Sequence, residues 1–132
     1  MAKRLSTRQN ARKHGYRSGL ELEVAEKLLS EGIDGQYEEN TINYTIPESK
    51  HKYTPDFRLP NGIFVETKGR FLAADRKKHL LIKQQHPNID IRFLFQNSRS
   101  RISKKSKTTY ADWCNKYGFT FADKSIPSEW YK

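Results

Sequence analysis

Two carboxylates and an amine stand close together in this chain: Asp56, directly after Pro55, then Glu66 and Lys68 on either side of Thr67. Carboxylate oxygens are ligands for a hard divalent cation, and a nearby amine can hold or activate the water that attacks a phosphate. The pattern reads P-D-x9-E-x-K, the spacing of a metal-dependent nuclease site. In a chain rich in Glu and Lys such a spacing also arises by chance, so the elements around it must bring the three side chains together.

Hairpin register decides whether the acids meet. A two-residue Asn61-Gly62 turn would pair Leu59 with Phe64, set Asp56 opposite Thr67 and send Glu66 to the other face. The local residues favour a different turn. Pro60 suits the second position of a type I turn and Gly62 the left-handed residue of a three-residue loop. That loop pairs Leu59 with Ile63, so Asp56 falls opposite Glu66 on one face, with Lys68 two residues along. An ordinary exposed strand face with cross-strand partners is the competing reading. It is weakened because like charges placed opposite each other repel, and because Asp is disfavoured in strands.

Glu21 is a third acid with two readings. Ser18-Gly19-Leu20-Glu21 fits a capping box in which Glu21 reaches back to the Ser18 backbone. At 3.6 residues per turn, Glu21 also falls within the apolar stripe of Leu20, Val24, Ala25 and Leu28, where a carboxylate faces the sheet and needs a cation. Capping and catalysis are equally compatible with these residues.

The elements follow from periodicity. A helix is expected from about Gly19 to Glu31, stopped by Gly32. A half-buried strand is expected over Thr41–Pro47, then a polar connection from Glu48 to Lys52. Hairpin strands follow over Tyr53–Leu59 and Ile63–Lys68. A second helix spans Ala73–Gln85, closed by Pro87, and a central strand covers Ile89–Phe95. A short helix over Thr109–Tyr117 stops at Gly118, and Phe119–Phe121 adds a strand. The order implies an α/β fold: a mixed sheet with helices on its faces. Residues 16–132 form one domain after a flexible basic arm over residues 1–15.

The 132 residues carry a formal net charge of +10. Two acid-free basic runs flank the acidic centre, residues 1–17 and the loop 96–108. They point to a polyanion, and nucleic acid in particular. Candidate phosphate contacts are Arg4, Arg8, Arg12, Lys13 and Arg17, then Arg99, Arg101, Lys104, Lys105 and Lys107, with Arg76 and Lys77 on the second helix. Only 35% of residues are hydrophobic, so the core is modest and an oligomer would help bury it. Cys114, the single cysteine, excludes an intrachain disulfide and fits a reducing compartment. With no secretory signal and no apolar run of membrane-spanning length, a soluble intracellular protein is expected. No histidine has metal-ligand spacing, and solvated histidines are the default. Tyr110, Trp113, Trp130 and Tyr131 read as core aromatics rather than base-stacking platforms.

The runs Tyr16-Arg17-Ser18-Gly19-Leu20-Glu21, Tyr53-Thr54-Pro55-Asp56-Phe57, Leu59 through Gly69, Asp75 through Ile82, and Ile126-Pro127-Ser128-Glu129-Trp130 resemble bacteriophage endonuclease I. That family comprises Holliday-junction resolvases. The resemblance implies a restriction-endonuclease-like core in a domain-swapped homodimer, with Glu21 from one chain beside Asp56, Glu66 and Lys68 of the other. It implies Mg²⁺, with Mn²⁺ as a substitute, held by Asp56, Glu66 and the Thr67 carbonyl, and a second ion held with help from Glu21. It further implies branched DNA as substrate, 5′-phosphate and 3′-hydroxyl products, and action in the host cytoplasm. A longer basic tail than the residues after Trp130 is also implied. The residues leave two other functions open. A sequence-specific or mismatch nuclease of the same core would cut linear duplex. A basic architectural DNA-binding protein would bind DNA without cutting it.

Overall fold

The computed structural model describes residues 15–46 and 49–132, so the expected basic arm lies almost wholly outside the described residues. Helix α1 (Gly19–Ser30) starts where the Ser18 hydroxyl accepts the Glu21 N–H at 3.1 Å, and Gly32 ends the turn beyond it at φ +69°. Its apolar stripe of Leu20, Val24 and Leu28 packs on Phe57, Leu59, Val65 and Leu94. Helix α2 (Ala73–Gln85) matches the expected bounds. Helix α3 (Tyr110–Tyr117) is capped by Thr109 and stopped by Gly118, which is left-handed at φ +76°.

The main sheet has five strands in the order β1 (Gln36–Tyr37), β4 (Phe57–Arg58), β5 (Phe64–Lys68), β6 (Ile91–Phe95), β7 (Phe121–Asp123). β1, β4 and β5 pair antiparallel, whereas β5, β6 and β7 pair parallel, which gives the mixed sheet that the element order implies. Alternation along β6 divides the core. Leu94 meets the α1 layer, while Phe93 and Phe95 join Phe71, Tyr110, Trp113 and Phe119 on the opposite face. Strands β2 (Ile42–Ile46) and β3 (Ser49–Tyr53) form a separate two-stranded sheet, whose Ile42, Tyr44 and Tyr53 pack with Ile82 of α2.

The β4–β5 turn is the one its residues favour. Leu59 N–H donates to the Ile63 carbonyl at 2.8 Å, Gly62 N–H donates to the Leu59 carbonyl at 2.9 Å, and Gly62 sits at φ +90°. The Asn61 amide donates to the Trp130 carbonyl at 2.6 Å, which ties the turn to the C-terminal segment. Phe57 therefore pairs with Val65, and the same register carried back one residue sets Asp56 opposite Glu66.

Several expectations are corrected. Residues 49–52 are strand rather than polar connection. All four side chains are exposed, so the segment shows no apolar alternation and is held by its ladder to β2. The strand expected over Tyr53–Leu59 shrinks to Phe57–Arg58, because Tyr53 completes β3 and Pro55 has no N–H to donate. The last strand lies at Phe121–Asp123, where Phe95 of β6 pairs with Asp123. β1 was unexpected, being only two residues long. His79 is not solvated. It is fully buried between the rings of Tyr53 and Phe93, at 5.0 and 4.8 Å, because its place on α2 faces the sheet.

Gly62→Ala places a Cβ at a positive φ and should cost about 1–2 kcal/mol of stability. A shift of the urea unfolding midpoint to lower denaturant checks this; an unchanged midpoint contradicts the turn assignment.

Candidate active site

Asp56 is central because two registers converge on it. Carried on by one residue, the β1–β4 pairing sets Glu38 opposite Asp56, and the Glu38 N–H donates to the Asp56 carbonyl at 3.0 Å. The β4–β5 pairing sets Glu66 on the other side. Asp56 itself lies in the bend ahead of β4, and its Oδ2 accepts from the Thr67 N–H at 2.8 Å and the Thr67 hydroxyl at 2.7 Å. Glu66 takes other partners. Its Oε1 accepts from the buried Tyr53 hydroxyl at 2.8 Å, and its Oε2 lies 3.3 Å from Lys68 Nζ. The expected register is present, but Asp56 lies just outside the ladder, so the two acids are not a plain cross-strand pair, and the Asp56 N–H donates to Glu66 Oε1 at 3.4 Å. Lying outside the ladder, the Asp56 side chain is free to meet the Thr67 donors, and this eases repulsion from Glu66.

Lys68 is bracketed, with Nζ also 3.3 Å from Asp75 Oδ1. The other oxygen of Asp75 accepts the Leu72 N–H at 3.1 Å at the start of α2, which fixes that carboxylate in place. From α1 comes Glu21, and its two readings coexist in part. Ser18 caps the Glu21 N–H, but the Ser18 hydroxyl, not its backbone, meets the Glu21 carboxylate, at 3.3 Å. Only 5% exposed, Glu21 leaves Oε2 buried without a hydrogen-bond partner. One oxygen each from Glu21, Glu38 and Asp56 lie within 4.8 Å of one another.

The electrostatics are those of crowded acids. Burial, and then the charge of Asp56, push the Glu66 carboxyl up to about 7, against the pull of Lys68 and Tyr53. Burial also raises Asp56, opposed by the Thr67 hydrogen bonds, and raises Glu21, opposed by the Tyr37 hydroxyl. Burial alone would lower the Lys68 ammonium, yet Glu66 and Asp75 outweigh it and hold it raised. An orphaned, buried carboxylate oxygen next to other raised acids fits a site for a hard divalent cation.

Arg17 is exposed and pairs with Glu38 at 3.0 Å. Lys77, Arg99, Arg101, Lys104, Lys105 and Lys107 are exposed, and Arg76 is half-buried with its guanidinium on the Phe71 carbonyl. Arg4, Arg8, Arg12 and Lys13 lie outside the described residues. Tyr110, Trp113 and Trp130 are buried in the core, as expected. Sequence reasoning missed Glu38, Tyr53 and Asp75. Tyr53 had a signal in its place two residues before Pro55, whereas the role of Glu38 depends on the short strand β1. Among the described residues, no helix is long and apolar enough to cross a membrane.

A mixed sheet that gathers acid, acid and lysine at the ends of adjacent strands, in so basic a chain, has the residue types that a metal-dependent nuclease site needs. The chain matches the phage endonuclease I family over residues 1–132. It is 57% identical over 117 residues to endonuclease I of Escherichia phage T7, covering 89% of this chain and 78% of that protein. It is 59% identical over 112 residues to endodeoxyribonuclease 1 of Enterobacteria phage T3, covering 85% and 74% respectively. The chain belongs to the phage endonuclease I family: it is an endonuclease, and DNA is the substrate class its family implies.

The raised Glu66 carboxyl has a consequence for stability. A carboxyl held near 7 when folded and near 4.5 when unfolded contributes stability that is full below 4.5 and lost as pH rises through 7. Lys68, held raised by its acidic partners, stays charged across that window, Tyr53, pushed well up by burial, stays neutral, and Asp56 shifts in the same sense as Glu66. Buried His79 is pushed well below its ordinary value and acts in the opposite sense, losing stability as pH falls. The comparison is therefore with Glu66→Gln. In metal-free buffer this variant should gain on the wild type between about pH 5 and pH 8, by on the order of 3 kcal/mol. Urea unfolding at each pH checks it; an offset that does not change with pH contradicts it.

Proposed function

We propose that this endonuclease resolves four-way DNA junctions and other branched DNA by metal-assisted hydrolysis of phosphodiesters. The observation that carries this reading is the buried cluster in which Glu66 meets Lys68 while Asp56 adjoins Glu21. Asp56, Glu66 and the Thr67 carbonyl would hold Mg²⁺, or Mn²⁺ in its place, and Glu21 would help hold a second ion. When bound, such a cation supplies Lewis-acid stabilisation of the phosphoryl oxygens and acidifies a water ligand. Lys68 orients the attacking water and stabilises the charge that develops on the phosphate, and its two carboxylate partners hold its ammonium in place. The water oxygen bonds to phosphorus and gives up a proton to solvent, and the P–O3′ bond breaks. The leaving O3′ takes a proton from solvent to become a 3′-hydroxyl, leaving a 5′-phosphate.

Exposed Arg17, Lys77 and the basic loop 96–108 support backbone contacts, joined by Arg76 and the basic residues of the arm. Charge contacts of this kind favour recognition by the shape of branched DNA over base sequence. The working form is a domain-swapped homodimer acting in the host cytoplasm. The β2–β3 ladder ends with Ile46 opposite Ser49. Opening the chain between those strands would carry α1, β1 and β2 to a second copy. The α1 contacts with Phe57, Leu59 and Val65 would be kept, and Glu21 of one chain would lie beside Asp56 of the other. Two sites in one particle suit paired cuts across a junction.

Cleavage of a labelled four-way junction and a matched linear duplex, in Mg²⁺ and in EDTA, tests the reading. Paired cuts near the branch point that need Mg²⁺ are expected, with at least about a 100-fold loss in Lys68→Ala and Glu66→Ala. Tight binding without cutting would favour an architectural role, and preferred cutting of linear duplex a different nuclease.

Co-expression of Glu21→Ala and Lys68→Ala chains tests the swap. In a swapped heterodimer one site carries both changes and the other neither, so single-strand nicking returns. With unswapped sites every site is damaged, and no activity returns.

A further inference from the structure

Glu38 is the acid that neither the spacing motif nor the apolar patterning picks out. Its main chain is tied to Asp56 through the 3.0 Å hydrogen bond, and its side chain is 27% exposed. One of its carboxylate oxygens comes within 4.8 Å of oxygens of both Glu21 and Asp56. An acidic cluster alone is not a ligand site. Here a second observation points to a cation: Glu21 Oε2, in a side chain more than nine-tenths buried, has no partner. Around a small octahedral cation neighbouring ligand oxygens stand about 3 Å apart and opposite ones about 4 Å, so the three oxygens must draw together to share one.

Glu38 also has a competitor. The guanidinium of Arg17, on a side chain 79% exposed, pairs with Glu38 Oε1 at 3.0 Å, while the Arg17 N–H donates to the Tyr37 hydroxyl at 3.2 Å. Those contacts hold the cationic group on the carboxylate that faces Glu21 and Asp56.

We propose that Glu38 is the third carboxylate ligand of the cation shared with Glu21 and Asp56, and that Arg17 guards Glu38 until that cation binds. Cation entry withdraws Glu38 from Arg17 and leaves the guanidinium free for a substrate phosphate, which couples metal loading to DNA contact. The inference rests on the metal-dependent reading above and adds a ligand and a gate to it.

Mn²⁺ titration of the full chain without DNA, followed by calorimetry and by the electron paramagnetic resonance signal of free Mn²⁺, tests the assignment. Glu38→Gln should weaken one class of Mn²⁺ sites by about ten-fold or more and leave a second, Glu66-dependent class in place. Arg17→Gln should tighten the Glu38-dependent class. Wild-type Mn²⁺ isotherms in Glu38→Gln overturn the ligand assignment while the metal-dependent reading stands. Unchanged affinity in Arg17→Gln overturns the gate, and this variant replaces an exposed side chain, so it reports even if Glu38→Gln fails to fold. A wild-type chain that takes up no Mn²⁺ overturns the underlying reading as well.

Discussion

The crowding of negative charge around Asp56 is the constraint on which the rest of the structure depends. β4 lies between β1 and β5, so Asp56, the residue just ahead of it, has Glu38 on one side and Glu66 on the other, with Glu21 brought in by α1. Two like charges about 4 Å apart repel by roughly 4 kcal/mol at an effective dielectric of about 20. Lys68 and Arg17 offset part of this, and donors from Thr67 and Tyr53 offset more. Burial raises the carboxyls of Glu21, Asp56 and Glu66, and neighbouring negative charge adds to the rise at Glu21 and Glu66.

Holding such a cluster requires rigid surroundings. The Leu59–Ile63 turn sets the β4–β5 register, and the bond from Asn61 to Trp130 locks that turn to the far end of the chain. α1 is fixed by the burial of Leu20, Val24 and Leu28, which leaves Glu21 no solvated alternative. Asp75, fixed at the start of α2, keeps Lys68 from collapsing wholly onto Glu66. The aromatic layer of Phe71, Phe93, Phe95 and Trp113 backs the opposite face of the sheet. Each element that carries a charged group is thus anchored by apolar contacts elsewhere.

Much of this was legible in the residues, for identifiable reasons. Pro60 and Gly62 impose a specific turn, and a turn fixes a register, so the Asp56–Glu66 opposition followed from local chemistry. The bounds of α2 followed from its periodicity and Pro87. Glu38 was not legible: β1 is two residues long, and its pairing with β4 is a tertiary choice without a periodic signal. β3 was hidden because Ser49 to Lys52 expose every side chain. His79 was misplaced because its basic neighbours disguise the one helical position that faces Tyr53 and Phe93. The departure of Asp56 from a simple strand face depends on Thr67 offering two donors at once, which spacing does not encode.

The central claim is that the carboxylates around Asp56 form a cation site at a cost in stability that the cation reverses. The most direct measurement is the unfolding free energy of the wild type and Asp56→Asn as Mg²⁺ replaces Na⁺ at constant ionic strength. A cation site at Asp56 requires that Asp56→Asn be at least as stable as the wild type in EDTA. It also requires that the wild type alone gain stability as Mg²⁺ rises, following the logarithm of Mg²⁺ concentration once the site saturates. A wild type indifferent to Mg²⁺, or an Asp56→Asn protein that responds equally, would contradict it.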